Sequence, residues 1–254
     1  LVQAQEGYKI EELDFSQLEM VGAAASSGCT KLQDDIRNGL DIHQQTAAAV
    51  FGEDKAEEMR KIAKNVNFGV LYGGKANGLS RQTGVDRGTV QELIDAFFSR
   101  YPALAKWQRR VYEEVIDNMQ PFDIKDGEQR YSSYWQDPVS GMRWQFVESE
   151  APKWLRRRLK RKWNISPQHT ANYPIQGFCG GGIVMRALHY LWQQCKDKDL
   201  AVVFLLTVHD SIIMEKHEDL DLTGIYEDTM KYVTQFYNLP VLLEYDVDTG
   251  DNWK

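Results

Sequence analysis

Two apolar segments far apart in the chain each close on an aspartate: Ile10-Glu11-Glu12-Leu13-Asp14-Phe15 early and Phe204-Leu205-Leu206-Thr207-Val208-His209-Asp210 late. Each reads as a strand, and a carboxylate at the lip of a buried strand is disfavoured unless a metal or a cation compensates it. Singly, either aspartate could cap a turn. Between them, Arg60-x3-Lys64-x3-Phe68-x3-Tyr72-Gly73 sets two cations and two aromatics along one helix face. Arg60 to Phe68 would span roughly 12 Å at about 1.5 Å per residue, the reach of a nucleotide from distal phosphate to base. Arg60 would fork the distal phosphate, Lys64 would supply a point charge, and Phe68 and Tyr72 would offer flat faces to sugar and base. On spacing alone, a solvated cationic stripe beside two core aromatics stands as the alternative. Taken together, paired metal-holding carboxylates and polyphosphate-gripping cations read as phosphoryl-transfer machinery, with the two acids converging in space.

At 254 residues the chain can bury a large core in one or two domains. The longest apolar run, 201–208, is too short to cross a bilayer, and no leader opens the sequence, so neither secretion nor a membrane partner is expected. Cys29, Cys179 and Cys195 are odd in number and irregularly spaced, which fits neither a disulfide framework nor zinc and implies a reducing, cytoplasmic setting. A net charge of −7 argues against nonspecific coating of nucleic acid but leaves room for a local basic groove. The start at Leu1, directly before a strand, reads as a fragment or a processed half.

Along the chain, 8–15 reads as a buried strand and 18–25 as a helix of small residues closed by Ser26-Ser27-Gly28. Asp41 is expected to cap a helix stopped by Gly52. The cation-bearing helix follows, from about Asp54 to Tyr72, ended by Gly73, Gly74 and Gly78. Residues 91–101 and 103–119 read as helices separated by Pro102. Tyr131 to Trp135 and Met142 to Phe146 flank Asp137-Pro138-Val139-Ser140-Gly141, a hairpin signal. Next, 153–162 carries seven cations and no acid. A helix is expected from about Gly181 to Cys195 after Pro174, then strands over 201–207 and 211–215, a helix over 223–237 and a last strand over 240–247.

The residues resemble a known family. Leu13-Asp14-Phe15-Ser16-Gln17-Leu18-Glu19 is similar to the first palm motif of family A DNA polymerases, the bacterial DNA polymerase I group and its phage relatives. Asp41 to Ala47, with Val50-Phe51-Gly52, resembles that family's following fingers segment, and Arg60 to Gly73 its nucleotide-binding helix. Asn172-Tyr173-Pro174-Ile175-Gln176-Gly177 resembles its primer-template segment, Val208-His209-Asp210 its last palm motif, and Leu242 to Trp253 its C-terminus.

The resemblance implies an α+β fold: a palm, an antiparallel sheet backed by helices, with an inserted and mainly helical fingers subdomain. Palm would occupy 1–35 and 168–254, and fingers 36–167, with an enlarged hairpin and basic segment near 120–167. It implies template-directed DNA synthesis, in which dNMP joins a primer 3′-hydroxyl and pyrophosphate leaves. Asp14, Asp210 and the Phe15 backbone carbonyl would hold two magnesium ions, for which manganese can substitute. Arg60, Lys64, His43, Phe68, Tyr72, Glu19 and Gln17 would bind the dNTP, Lys64 also assisting pyrophosphate departure. Phe68 rather than Tyr implies discrimination against dideoxynucleotides, and Glu19 would be the gate against a ribose 2′-hydroxyl. Asn172, Gln176 and His209 would contact primer-template DNA. Arg156, Arg157 and Arg158, with Trp154 and Trp163 beside them, would contact DNA or form a solvated face.

Two positions depart from the family pattern: Ser211 stands where a Glu usually follows His-Asp, and Gln168 replaces an Arg four positions before Asn172. Weakened or redistributed metal binding and one fewer duplex contact follow. Thumb and exonuclease modules would precede Leu1, so a separate or cleaved N-terminal segment is the expected partner. The rival expectation is a polymerase half that is inactive until such a partner joins. A metal-dependent phosphohydrolase is a third reading, which would leave Glu19 and Phe68 without a task. A bacterial cytoplasm is the expected setting, whether host- or phage-encoded.

Overall fold

The computed structural model describes residues 2–253. Two compact units emerge: residues through Ala25 with those from Gln176 onward, and Ser26–Ile175. After a two-residue strand, β1 (Val2–Gln3), β2 spans Tyr8–Phe15. Glu11, Leu13 and Phe15 are buried, while Glu12 and Asp14 on the alternate face are partly exposed. Gln17, at φ 52°, turns the chain, and its carbonyl accepts from Met20 and Val21 as α1 (Leu18–Ser27) begins. Small residues are needed in α1: a Cβ on Gly22 would lie 2.6 Å from Cys179 Sγ.

In the second unit, α2 (Thr30–Arg37) precedes α3 (Ile42–Phe51). The Asp41 carboxylate caps α3 by accepting from the His43 and Gln44 amides, and Gly52 ends it at φ 88°. A 3-10 turn, Glu53–Lys55, leads into α4 (Ala56–Leu71), capped at its C-terminus by Tyr72. Then come α5 (Ala76–Thr83), α6 (Arg87–Arg100) and α7 (Pro102–Asp117), with Pro102 in the first turn where its missing amide costs nothing. Gly78 lies inside α5, so the expected three-glycine break is shorter: Lys75 is already extended at φ −119°, ψ 157° and restarts a helix. β3 (Gln120–Lys125), β4 (Glu128–Gln136) and β5 (Arg143–Ser149) form a three-stranded antiparallel sheet around the expected hairpin. β3 was not anticipated; Phe122 and Ile124 alternate with Asp123 and Lys125, but the segment is short, follows Pro121 and is mostly exposed. The basic segment forms α8 (Lys153–Leu159), and α9 follows over Pro167–Gln176.

Pro174 does not precede a helix but sits within α9, which runs on through a π segment, Gly177–Val184, into α10 (Met185–Asp197). The missing proline amide removes one helical bond, and the glycines that follow tolerate the wider π turn. Back in the first unit, β6 (Val202–Val208) and β7 (Ser211–His217) precede α11 (Thr223–Phe236), β8 (Tyr245–Gly250) and β9 (Asn252–Trp253). The sheet runs β6-β7-β2-β8, all antiparallel, and β1 pairs β9. The last strand therefore starts at Tyr245 rather than Pro240. Residues 240–244 do alternate, Val241 and Leu243 being buried, but the Leu243 amide donates to Thr234 Oγ1 at 3.2 Å instead of to a ladder. Among the described residues no helix is long and apolar enough to cross a membrane.

Candidate active site

The register of β2 places Asp14 opposite Ser211 on β7 and opposite Asp246 on β8. Ser211 Oγ donates to Asp14 Oδ1 at 2.6 Å, so the serine at the usual Glu position supplies a neutral donor rather than a further charge. His209 and Asp210 form the two-residue connection from β6 to β7, with His209 at φ 54°. The Phe15 amide donates to the Asp210 carbonyl at 3.0 Å, which ties that connection to the end of β2. Burial raises the Asp210 pKa, and the charges of Glu19 and Asp14 raise it further. Those three carboxylates are thus close enough to repel. Glu19, Gln176, His209 and Asp210 line one cavity of about 330 Å³ with Leu18, Cys179 and Gly180.

Repulsion among carboxylates is what a divalent cation relieves, and the oxygen donor set suits a hard ion. Among the described residues no three His, Cys, Asp or Glu side chains already close on one point as a cage would. Two aspartates supplemented by a backbone oxygen form a sparser, all-oxygen donor set of the kind a hard cation takes. The Phe15 side chain is in the core, leaving only its backbone for that task. Asp246, which accepts from Ser16 Oγ at 3.0 Å, is a further acid beside Asp14 that motif reasoning missed. The acid-rich Tyr245-Asp246-Val247-Asp248 stretch was its available signal.

On α4 in the second unit, Arg60 is ion-paired to Asp41, the same carboxylate that caps α3. Backbone and Arg60 hydrogen bonds outweigh burial and hold the Asp41 pKa below its usual value. Lys64 is exposed, its Nζ 5.9 Å from the Phe68 ring centroid. The Phe68 ring lies 5.4 Å from the buried His43 ring. Fully buried Asn67 places Nδ2 3.1 Å from His43 Nδ1 and 3.0 Å from Thr46 Oγ1. The Asn67 side-chain amide thus holds the His43 ring through Nδ1. The Asn67 contact to His43 is one that the motif alone did not single out. Tyr72 caps α4 and is partly exposed. Gly73, at φ 75°, packs against the start of α9: a Cβ there would lie 3.0 Å from Gln168 Cα.

Burial pushes the His43 pKa down to about 4 from 6.5, with Arg60 and Lys64 acting in the same sense and Asp41 against it. The unfolded chain therefore takes up this proton first as the pH falls. Stability is fully present above about pH 6.5 and declines by about 3 kcal/mol towards pH 4. Urea denaturation of His43→Gln should lose that component, so parent and variant converge with acidification. Parallel stability profiles would refute it.

In α8, Arg156 is ion-paired to Glu150, whereas Arg157 and Arg158 are exposed. The Arg158 guanidinium lies 5.7 Å from the ring of Trp154, which is 65% exposed, while Trp163 packs on Tyr131. Asn172 has a buried side-chain oxygen with no partner among the described residues.

The model of the family described as DNA polymerase family A matches residues 1–254. DNA polymerase I of Pseudomonas aeruginosa is 30% identical over 253 residues, covering 98% of this chain and 25% of the relative. The thermostable DNA polymerase I of Thermus filiformis is 31% identical over 255 residues, covering 98% and 27% respectively. The chain thus spans about a quarter of the length of these curated relatives. Among solved structures, the POL domain of Pol1 from M. smegmatis, in complex with DNA primer-template and dNTP, superposes with a TM-score of 0.70 at 24% identity. That likeness covers 99% of this chain and 41% of the other.

Proposed function

Since this chain belongs to DNA polymerase family A, we propose that it carries the palm and fingers of a DNA-directed DNA polymerase that adds dNMP to a primer 3′-hydroxyl. The carrying observation is the acid cluster: Asp14 and Asp210, from opposite ends of the sequence, with Glu19 beside them. The proposed palm is 1–35 with 168–254, and the proposed fingers 36–167. Asp14, Asp210 and the Phe15 carbonyl would hold two magnesium ions, with manganese able to substitute. Such ions, when bound, activate the attacking hydroxyl and stabilise the leaving oxygen.

The chain's own residues divide the remaining work. Ser211 Oγ orients Asp14 without adding charge. Neutral His43 faces the phosphates while Asn67 fixes its ring through Nδ1. Lys64 neutralises the departing pyrophosphate, and Arg60 contributes to the triphosphate grip to the extent that Asp41 releases it. Phe68 lies against the sugar and Tyr72 near the templating position. Gln17 supports the dNTP from the turn it forms, and Glu19 excludes a ribose 2′-hydroxyl. Asn172, Gln176 and His209 contact the primer-template. The setting is proposed as a bacterial cytoplasm, host- or phage-encoded.

Primer extension by this chain with magnesium and dNTPs tests the proposal, first alone and then with an N-terminal segment carrying thumb and exonuclease modules. Extension alone supports an autonomous catalytic core. Extension only with the added segment selects the alternative, an obligate half. No extension in either arm overturns both.

Arg157 and Arg158 are proposed to contact the DNA backbone. Replacing both with Ala should make the slope of log K against log salt concentration shallower by roughly 0.9 per lost phosphate contact, about 2 in all. Arg156→Ala should change it less, since Arg156 is already paired with Glu150. Fluorescence anisotropy across a salt series reads the slope, and an unchanged slope would leave α8 as a solvated face.

A further inference from the structure

Within the second unit lies a cavity of about 530 Å³, bordered by the α4-to-α5 turn and by α5, α6 and α7. Its volume is that of a small-molecule site. Lys75, Arg87 and Arg109 line it together with Phe98 and Tyr112, and no acid lines it among the described residues. In a chain of net charge −7, three cations around an acid-free hollow mark a place for an anion. The two aromatics add flat faces, so the chemistry matched is a phosphate joined to a planar ring. Arg161 Nη2 donates to the Tyr112 hydroxyl at 3.0 Å, which fixes that ring.

The cavity is separate from the stripe of Arg60, Lys64 and Phe68. Val70, which lines it, stands two residues beyond Phe68 and hence about 200° further round α4. It is nonetheless wired to that helix. Gln108 Nε2 donates to the Val70 and Leu71 carbonyls at 3.1 and 2.9 Å, bonding the cavity wall to the end of α4. Gly73 and Gly74 form the adjoining rim. A Cβ on Gly74 would meet the Gly69 carbonyl oxygen at 2.6 Å, so the turn is closely packed.

We propose that this cavity binds a free mononucleotide, its phosphate held by Lys75, Arg87 and Arg109 and its base laid against Phe98 or Tyr112, and that occupancy stiffens the turn from α4 to α5. The site is an effector site, distinct from the face that would receive the incoming nucleotide. Its volume suits one nucleotide rather than a strand.

The test titrates the full chain, in EDTA, with 2-aminopurine deoxynucleoside monophosphate, reading fluorescence quenching together with amide hydrogen exchange over 70–78. The expected result is saturable quenching and slowed exchange. Affinity should fall at least about tenfold in Arg87→Glu/Arg109→Glu and in Ala105→Phe, which fills the hollow without changing charge. Lys64→Ala should leave the affinity unchanged. Thermal melts identify any variant that fails to fold, and the other variant then decides. Unchanged affinity in a folded cavity variant overturns the proposal, as does loss of binding in Lys64→Ala. Quenching of 2-aminopurine only when it is carried in an oligothymidylate overturns it too, because the occupant is then a strand.

Discussion

Asp210→Asn is expected to reduce primer extension by about a thousandfold or more, while the metal-free protein melts at or above the parent temperature. The opposite signs follow from one environment. Burial and the charges of Glu19 and Asp14 raise the Asp210 pKa, so its ionised form is the costly one in the folded state. That cost is absent below the unfolded pKa, grows between the unfolded and the raised folded value, and is complete above the latter. An amide removes the charge and the cost together, and with them one of the oxygens proposed to bind metal. Magnesium should therefore raise the melting temperature of the parent by mass action, about 2.7 kcal/mol at a hundredfold excess over its dissociation constant, and leave that of the variant nearly unmoved. Asp246→Asn is the control: it neutralises another acid opposite Asp14, one already held by Ser16, and should retain most activity. Parental extension rates in Asp210→Asn, or a metal-free variant that melts well below the parent, would remove the acid cluster from the mechanism.

Local rules made much of the fold legible. The apolar residues of 8–15 marked β2, and the Asp41 cap and Gly52 stop bracketed α3. Failures came where a partner outside the local window decided the outcome. Residues 240–244 alternate like a strand, yet the Leu243 amide bonds to Thr234 instead. Pro174 looks like a boundary, yet α9 carries on through it because glycines beyond accept a π turn. β3 exists because β4 offers it an edge, which an exposed six-residue segment cannot announce. The candidate site divides in the same way. Motif resemblance named Asp14 and Asp210, but only register could set Ser211 and Asp246 on either side of Asp14. The Arg60 guanidinium was readable as a phosphate clamp, whereas its pairing with Asp41, nineteen positions away, required tertiary packing. His43 was readable as a ligand, but its neutral state follows from burial.

Lys64→Ala should lower the single-turnover rate of nucleotide incorporation by about a hundredfold or more, with Lys64→Arg recovering part of the loss. Arg60 and Lys64 are a turn apart on α4, yet their situations differ. Arg60 is bound to Asp41, so a phosphate must compete with an existing carboxylate for it. Lys64 is exposed and makes no ion pair among the described residues, its ammonium lying over the Phe68 ring. Lys64 is thus the unspent charge on the stripe, free to meet the negative charge that develops as pyrophosphate departs. Such a contact strengthens in the transition state, so its removal should appear in the rate more than in nucleotide affinity. Arg60→Ala should do the reverse, weakening apparent dNTP affinity with a smaller effect on the maximal rate. Its cost to stability should be about 0.2–1 kcal/mol, because the broken pair is partly solvated and Asp41 Oδ1 still accepts from the His43 and Gln44 amides. Rapid-quench incorporation over a range of dNTP concentrations separates the two parameters. A Lys64→Ala rate within about twofold of the parent, alongside a collapse of rate in Arg60→Ala, would transfer the pyrophosphate-facing role to Arg60 and require its bond to Asp41 to open during turnover.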